Sequence, residues 1–358
     1  MKILSLGLDN SSLNKNSFLA KRVIEYGGLV EKYKIIVPNR KEEKVELSEK
    51  VIVYGSGGIN KFAQFFKIYK LAKRLLWEEK FNLITVQDQY YLALIGLFLS
   101  KKFRIGIEIQ VHGFEKYYGL RKIIARYVLL RANAVRCVSQ RLKSQLINEF
   151  NIKEELITVV PIYSELQITN YELRVKTNKD KFIFLTISRL VKVKNIEMQI
   201  EAMKEIIKKY PEIELWIIGD GSGREKLEIR SKKLGVADNI KFFGWQNNLN
   251  EYYKKADTFL LTSNAEGWGM AVIEVAAYGL PIIMTDVGCA GEVIKNEESG
   301  LIIPVGDKEK LVEAMLKIIK DEELRKKLGQ NSKIAIKRLP QKEQILNLYK
   351  QSWRKAIL

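Results

Sequence analysis

Two carboxylates, Glu266 and Glu274, stand eight residues apart in the run Thr262-Ser-Asn-Ala-Glu-Gly-Trp-Gly-Met-Ala-Val-Ile-Glu274. An apolar β-type run, Thr258–Leu261, ends just before it, and an apolar helical pattern begins near Met270. A glycine-rich turn between strand and helix lets backbone approach a ligand closely and aims free N–H groups at an anion. Glu266 precedes the helix and Glu274 falls in its second turn, at most roughly 12 Å away along the axis. On this reading the pair brackets a diphosphate, one carboxylate reaching a sugar and the other a ribose. A first turn whose acids only steady the helix dipole is the plainer alternative. Gly267 and Gly269 on both sides of Trp268 argue against it.

Three further stretches leave strand patterns in the same way. Ser188-Arg-Leu-Val-Lys-Val-Lys-Asn195 carries Arg189 and Lys194, cations suited to a diphosphate leaving group. Ile217-Ile-Gly-Asp-Gly-Ser-Gly-Arg224 is a second glycine-rich exit, opening at Gly219. It has neither the dinucleotide-binding spacing nor the Lys-Ser/Thr pair of a phosphate loop, so neither fingerprint applies. Gln110-Val-His-Gly113 places the only histidine, His112, at the end of a buried strand pattern; a structural role and a site role both fit.

Composition narrows the classes. The chain has 358 residues, 47% hydrophobic and 29% charged, which fits about two domains with sizeable cores and excludes disordered or collagen-like chains. Cys137 and Cys289 are the only cysteines, so there is no disulfide framework and no cysteine-based zinc site. A single histidine excludes any multi-histidine metal centre. Lys and Arg outnumber Asp and Glu by 61 to 42, for a formal charge of +19, and residues 51–143 hold 17 basic against 5 acidic side chains. That excess calls for an anionic partner: a nucleotide, a phospholipid surface or a nucleic acid. No helix-turn-helix, RNP or zinc-finger signature accompanies it, so nucleic acid is not the expected partner. The start reads as a buried strand rather than a signal peptide, and the longest apolar run, Tyr90–Leu99, is about half a membrane span. A cytoplasmic location, peripheral at most to a membrane, is expected.

Short apolar strands alternate with amphipathic helices, the pattern of parallel sheets covered on both faces. Strands are expected at Ile3–Leu8, Lys34–Val37, Val51–Tyr54, Leu83–Val86, Arg104–Val111, Ala134–Val138 and Ile157–Val160. The aperiodic stretch 166–181 reads as a linker. Strands then return at Phe182–Ile187, Glu214–Ile218, Ile240–Phe243, Thr258–Leu261 and Pro281–Met284, with helices between them and at Lys308–Ile319, Glu322–Leu328 and Gln341–Ala356. The expected organisation is two doubly wound parallel-sheet domains, 1–165 and 182–340, with a C-terminal helix, 341–358, turning back toward the first. Ligands of open α/β sheets bind beyond the carboxyl ends of the strands, where all four motifs lie.

In combination and order these motifs resemble the retaining nucleotide-sugar glycosyltransferases of family 4 (glycosyl transferases group 1), which have the GT-B fold of two Rossmann-like domains. The resemblance rests on Glu266 and Glu274 as an E-x7-E element, Arg189 with Lys194, His112-Gly113, a turn at Phe242-Phe-Gly244, and Pro281 after the E-x7-E helix. It implies a first domain that binds the acceptor, a glycan or lipid-linked sugar of envelope synthesis, and a second that binds a nucleotide-diphosphate hexose with UDP or GDP. It further implies that Arg189 and Lys194 grip the diphosphate and that Ser188, Gly219 and the backbone of Gly267, Trp268, Gly269 and Met270 line the donor site. Glu266 and His112 would contact the sugar and Glu274 the ribose. No D-x-D triplet occurs, in keeping with the metal-independent chemistry that the resemblance implies; no cofactor is expected.

Three elements depart from the family pattern. The loop after the first strand reads Asp9-Asn-Ser-Ser-Leu-Asn-Lys-Asn16 in place of a glycine pair. Pro161-Ile-Tyr-Ser164 stands where Asn-Gly-Val is common, and Gly288-Cys-Ala-Gly-Glu292 where Gly-Gly-x-Pro-Glu is frequent. Residues 61–77 and 116–127 mix cations with aromatics at helical spacing, as a helix lying on anionic lipid does. A nucleotide-sugar 2-epimerase of the same fold, or a basic polyanion-binding protein, are the alternatives.

Overall fold

A computed structural model describes residues 1–113, 118–164 and 181–357. The chain divides into two compact units, Met1–Pro161 joined by Gln341–Leu358, and Ile162–Pro340. Nearly all of the expected linker, 166–181, lies outside the described residues.

The first unit runs β1 (Lys2–Leu6), α1 (Phe18–Gly28), β2 (Lys32–Val37), β3 (Glu42–Ser48), β4 (Val51–Ser56), α2 (Lys61–Glu78), β5 (Leu83–Val86), α3 (Tyr91–Phe103), β6 (Gly106–Val111), α4 (Gly119–Leu129), β7 (Ala134–Cys137), α5 (Gln140–Phe150) and β8 (Ile157–Val159). Its sheet has the order β3-β4-β2-β1-β5-β6-β7-β8, parallel throughout except that β3 pairs antiparallel with β4. The sequence reading missed β3: its residues, Glu-Glu-Lys-Val-Glu-Leu-Ser, are mostly exposed and charged. Such a strand suits a sheet edge, where charge discourages further pairing, and it carries little of the buried apolar signal of a central strand. The first strand is also shorter than expected, ending at Leu6, and Leu8 is exposed.

The second unit runs β9 (Ile183–Ile187), α6 (Ile196–Ile206), β10 (Glu214–Ile218), α7 (Arg224–Leu234), β11 (Ile240–Gly244), α8 (Asn250–Lys255), β12 (Thr258–Leu261), α9 (Met270–Ala277), β13 (Ile282–Thr285), β14 (Leu301–Ile303), α10 (Lys308–Lys320) and α11 (Glu322–Lys337). All six strands are parallel, in the order β11-β10-β9-β12-β13-β14. Phe184, Leu215, Ile217, Leu260 and Ile283 of this sheet pack with Ile200, Met203, Leu311 and Met315 in one apolar core. The strand order reverses between β9 and β12, a switch point that opens a crevice beyond their carboxyl ends. The three-residue β14 was too short to be legible. Helix α11 runs past the expected end at Leu328 because Gly329 lets it approach the Gly279 backbone; a Cβ there would lie 2.1 Å from the Gly279 carbonyl oxygen.

The last helix, α12 (Lys342–Ala356), belongs to the first unit, as the sequence reading expected. Trp353 is fully buried, and Tyr349 stacks on Tyr26 of α1 with ring centroids 4.2 Å apart. Beneath them sits a buried ion pair, Glu108 of β6 with Arg136 Nε of β7 at 3.5 Å. Glu108 also accepts hydrogen bonds from Thr85 and from Ser352 of α12, and the Arg136 guanidinium lies 3.8 Å over the Tyr349 ring. A buried charge pair is tolerable only with such extra partners.

Candidate active site

Strand β9 delivers its exit loop against that of β10. Ser188 N–H donates to the Ile218 carbonyl at 3.0 Å, Leu190 N–H to that of Asp220 at 2.9 Å, and Gly223 N–H to that of Leu190 at 2.8 Å. Gly219 is required here: its φ is +122°, and a Cβ would lie 1.9 Å from the Ser188 carbonyl oxygen. Its N–H donates to the carbonyl of Gly244, the glycine of the Phe242-Phe-Gly turn, at 2.8 Å. After Leu190 the chain makes one 3-10 turn, Lys192–Lys194, and enters α6 through Asn195 in a left-handed conformation.

The exit of β12 lies beside this loop and is tied to it. Asn264 N–H donates to the Val193 carbonyl at 2.8 Å. Thr186 of β9 donates to Gln199 Oε1 at 2.6 Å, and Gln199 Nε2 donates to the hydroxyl of buried Thr262 at 2.8 Å. That hydroxyl lies within hydrogen-bonding distance of the Lys194 and Asn195 carbonyls, at 3.2 and 3.0 Å. A buried, satisfied polar chain of this kind fixes the spacing of the two loops. Within the frame, Lys194 Nζ lies 2.5 Å from Glu266 Oε1, which also accepts from Ser263 Oγ at 2.7 Å. Arg189 is exposed and has no carboxylate partner among the described residues.

Glu266 is followed by the buried turn Gly267-Trp-Gly269 and by the half-buried Met270. Gly269 enters α9 at φ +94° and has no side chain to cap the helix start, so among the described residues its first-turn N–H groups find no side-chain acceptor. The loop after β13 backs this turn. Cys289 N–H donates to the Trp268 carbonyl at 2.9 Å, and a Cβ on Gly288 would lie 2.6 Å from the same oxygen. Glu274 is half-buried in the second turn of α9 and accepts from the Tyr253 hydroxyl of α8 at 2.9 Å. Burial raises its pKa above the ordinary carboxylate value, and the Tyr253 hydrogen bond acts in the opposite sense.

Ser188, Arg189, Lys194, Gly219, Glu266, Gly267, Trp268, Gly269, Met270 and Glu274 thus all lie on the exits of β9, β10 and β12 or on the helix that follows. His112 belongs to the first unit. It follows β6, is exposed, and precedes Gly113, whose carbonyl accepts from Gln89 Nε2 at 2.6 Å. Surrounding protein, together with the charges of Arg136 and Arg22, holds the imidazole pKa down to about 4.

Sequence reasoning missed Tyr253, Gln199 and Ser263. Ser263, three residues before Glu266, was within reach of a spacing argument. Tyr253 lies 21 residues from the carboxylate it serves, and only the folded packing of α8 on α9 joins them.

Two doubly wound parallel-sheet α/β units in succession are the architecture of the GT-B fold. Over 99% of both chains the structure matches sucrose-phosphate synthase from Thermosynechococcus elongatus with a TM-score of 0.83, at 20% identity. Residues 169–335 match the family model described as Glycosyl transferases group 1, and residues 32–162 that described as Glycosyltransferase Family 4. The chain belongs to this group 1/family 4 glycosyltransferase family. It is 26% identical over 318 residues to an uncharacterized glycosyltransferase of Methanocaldococcus jannaschii, covering 86% of this chain and 83% of that one. It is 25% identical over 285 residues to the UDP-Gal:alpha-D-GlcNAc-diphosphoundecaprenol alpha-1,3-galactosyltransferase of Escherichia coli, covering 74% and 72%. With several other curated relatives the matched stretch covers between 44% and 64% of their length. Among the described residues no helix is long and apolar enough to cross a membrane.

Proposed function

We propose that the chain is a retaining, metal-independent hexosyltransferase. It moves a sugar from a UDP- or GDP-linked donor to a glycan or lipid-linked acceptor of envelope polysaccharide or glycolipid synthesis. The observation that carries this reading is the arrangement at the β9/β12 switch point: Arg189 exposed and, among the described residues, without a carboxylate partner, Lys194 held 2.5 Å from Glu266, and beside them a helix start with no side-chain cap among those residues. The relative from Escherichia coli supports the donor and acceptor classes, since its name specifies a UDP-sugar and a diphosphoundecaprenol acceptor. A lipid-linked acceptor is confined to a bilayer surface, which would bring the enzyme to the cytoplasmic face of a membrane.

In this mechanism Arg189 and Lys194 neutralise the diphosphate, with the N–H groups at the start of α9 facing its oxygens. Glu274 takes the ribose hydroxyls, Glu266 those of the transferred sugar, and His112 meets the sugar as a neutral imidazole. The bond from sugar C1 to phosphate oxygen breaks as the bond from C1 to acceptor oxygen forms on the same face. The acceptor hydroxyl proton passes to the departing phosphate oxygen, so no side chain has to serve as a separate base. Side-chain cations rather than a metal balance the charge left on the nucleotide.

Calorimetric titration with UDP, GDP, ADP and CMP in the absence of divalent metal tests the donor site. One nucleotide is expected to bind clearly best and to lose affinity in Arg189→Ala. Failure of all four to bind, or equal binding by the variant, would remove the donor assignment. The anomeric configuration of the product, read by NMR, tests retention.

A further inference from the structure

Helices α2, α3 and α4 lie side by side in the first unit. Tyr69 of α2 meets Phe98 of α3 with ring centroids 5.9 Å apart, and Trp77 of α2 meets Phe103 of α3 at 5.5 Å. The guanidinium of Arg121 on α4 lies over Tyr90 and Tyr91 at the start of α3, at 5.6 and 5.8 Å. The three helices carry ten Lys and Arg residues and one acidic residue, Glu78. Their outer faces also hold large apolar side chains in water: Phe62 is 74% exposed, Trp77 71%, Phe98 59%, Leu120 63% and Ile123 66%. On α2 the exposed positions Phe62, Phe66, Lys70, Arg74 and Trp77 recur at helical spacing, so rings and cations share one stripe.

We propose that this three-helix face is a docking surface for an anionic lipid leaflet, with aromatic and aliphatic side chains entering the headgroup region and the cations meeting lipid phosphates. Two independent features select this occupant. The ten-to-one charge excess complements a surface of anionic headgroups. Leu120, Ile123 and Phe98 offer nothing to a soluble polyanion and would stay in water against one, whereas a leaflet covers them. The inference deepens the reading of a lipid-linked acceptor but does not depend on which nucleotide the second unit binds.

Flotation of the full chain tests it, using phosphatidylcholine vesicles with and without about one third phosphatidylglycerol, at low and high salt. Wild type is expected to float with the anionic vesicles only. The variant Lys70→Glu/Arg74→Glu/Lys122→Glu/Arg126→Glu should bind at least about a hundredfold more weakly, since each cation near the leaflet is worth about fivefold. Phe62→Ser/Trp77→Ser/Ile123→Ser should bind at low salt and detach at high salt. Far-UV circular dichroism and urea unfolding of the same variants, expected unchanged, show that the first unit is folded, and unchanged nucleotide titration shows the same of the second. Absence of flotation by wild type, or wild-type flotation by the charge-reversed variant, would overturn the proposal. So would charge-reversal effects on heparin or DNA binding with vesicle binding unaffected. Vesicle binding by a protein that takes up no nucleotide would leave this surface standing and remove the donor site instead.

Discussion

Lys194 Nζ and Glu266 Oε1 lie 2.5 Å apart, with both side chains largely removed from solvent. The two residues come from different strand exits, after β9 and after β12, and a buried chain through Thr186, Gln199 and Thr262 fixes the distance between those exits. The cation proposed for the diphosphate and the carboxylate proposed for the sugar therefore form one unit before any donor arrives. A donor must enter this unit rather than meet two independent side chains.

Removing one member should cost both turnover and stability. Lys194→Ala is expected to lower kcat at least roughly tenfold, on the basis of about 1.5–3 kcal/mol for a charged hydrogen bond. It also leaves Glu266 poorly compensated. In urea unfolding, Lys194→Ala and Glu266→Gln should be non-additive, with an interaction energy of about 1 kcal/mol or more. Strict additivity would mean that the pair is not coupled.

Glu274 should show separate effects on binding and on stability. Replacing it with Ala is expected to weaken nucleotide binding by about 10- to 100-fold while the fold remains intact. Burial raises its folded-state pKa, so the folded protein retains this proton to higher pH than the unfolded chain. Its ionisation therefore removes stability as pH rises through the raised value. Glu274→Gln, which keeps the acceptor for Tyr253, should be at least as stable as wild type at pH 7 and weaker in nucleotide binding. Thermal melts at pH 4 and 7 with and without nucleotide check both halves.

His112, as the only histidine, gives a single unambiguous imidazole signal in an NMR titration. That signal is expected to titrate well below 6.5, toward about 4. With the folded value depressed, the unfolded chain binds this proton first, so the His112 contribution is complete above pH 6.5 and is lost as pH falls toward 4. The pH–rate profile should accordingly show no inflection from this group between pH 6 and 8. A midpoint near 6.5 would show that neither burial nor the charges of Arg136 and Arg22 depress this imidazole.

Trp353 closes the core of the first unit, and Trp353→Ala should cost about 3–5 kcal/mol in urea unfolding of that unit. Nucleotide affinity of the second unit should change much less. A loss below about 1 kcal/mol would show that α12 is peripheral to the core.

The second unit was the more legible half of the chain. Strands β10 and β12 coincide with their expected ranges, because both are short buried apolar runs bounded by turn residues. Its site was legible for a related reason: glycines, cations and carboxylates cluster immediately after those strands. What sequence did not reveal is pairwise. Nothing local announces that Lys194 finds Glu266 across 72 residues, or that Glu274 finds Tyr253. The same holds for Glu108, a buried acid on an apolar strand whose partners Arg136 and Ser352 lie 28 and 244 residues away. The edge strand β3 escaped notice for the opposite reason, since its exposed charges conceal a strand whose pairing is satisfied by β4 alone.

Helix α12 reverses the usual order of events on a ribosome. Residues Ile162–Pro340 form a continuous unit and emerge whole, free to complete their core while the chain is still being made. The unit that begins at Met1 emerges first yet cannot bury Glu108 and Arg136 until Tyr349, Ser352 and Trp353 have been synthesised. Until α12 has been made its sheet waits with an open polar seam, so of the two units the one that emerges first is the one finished last.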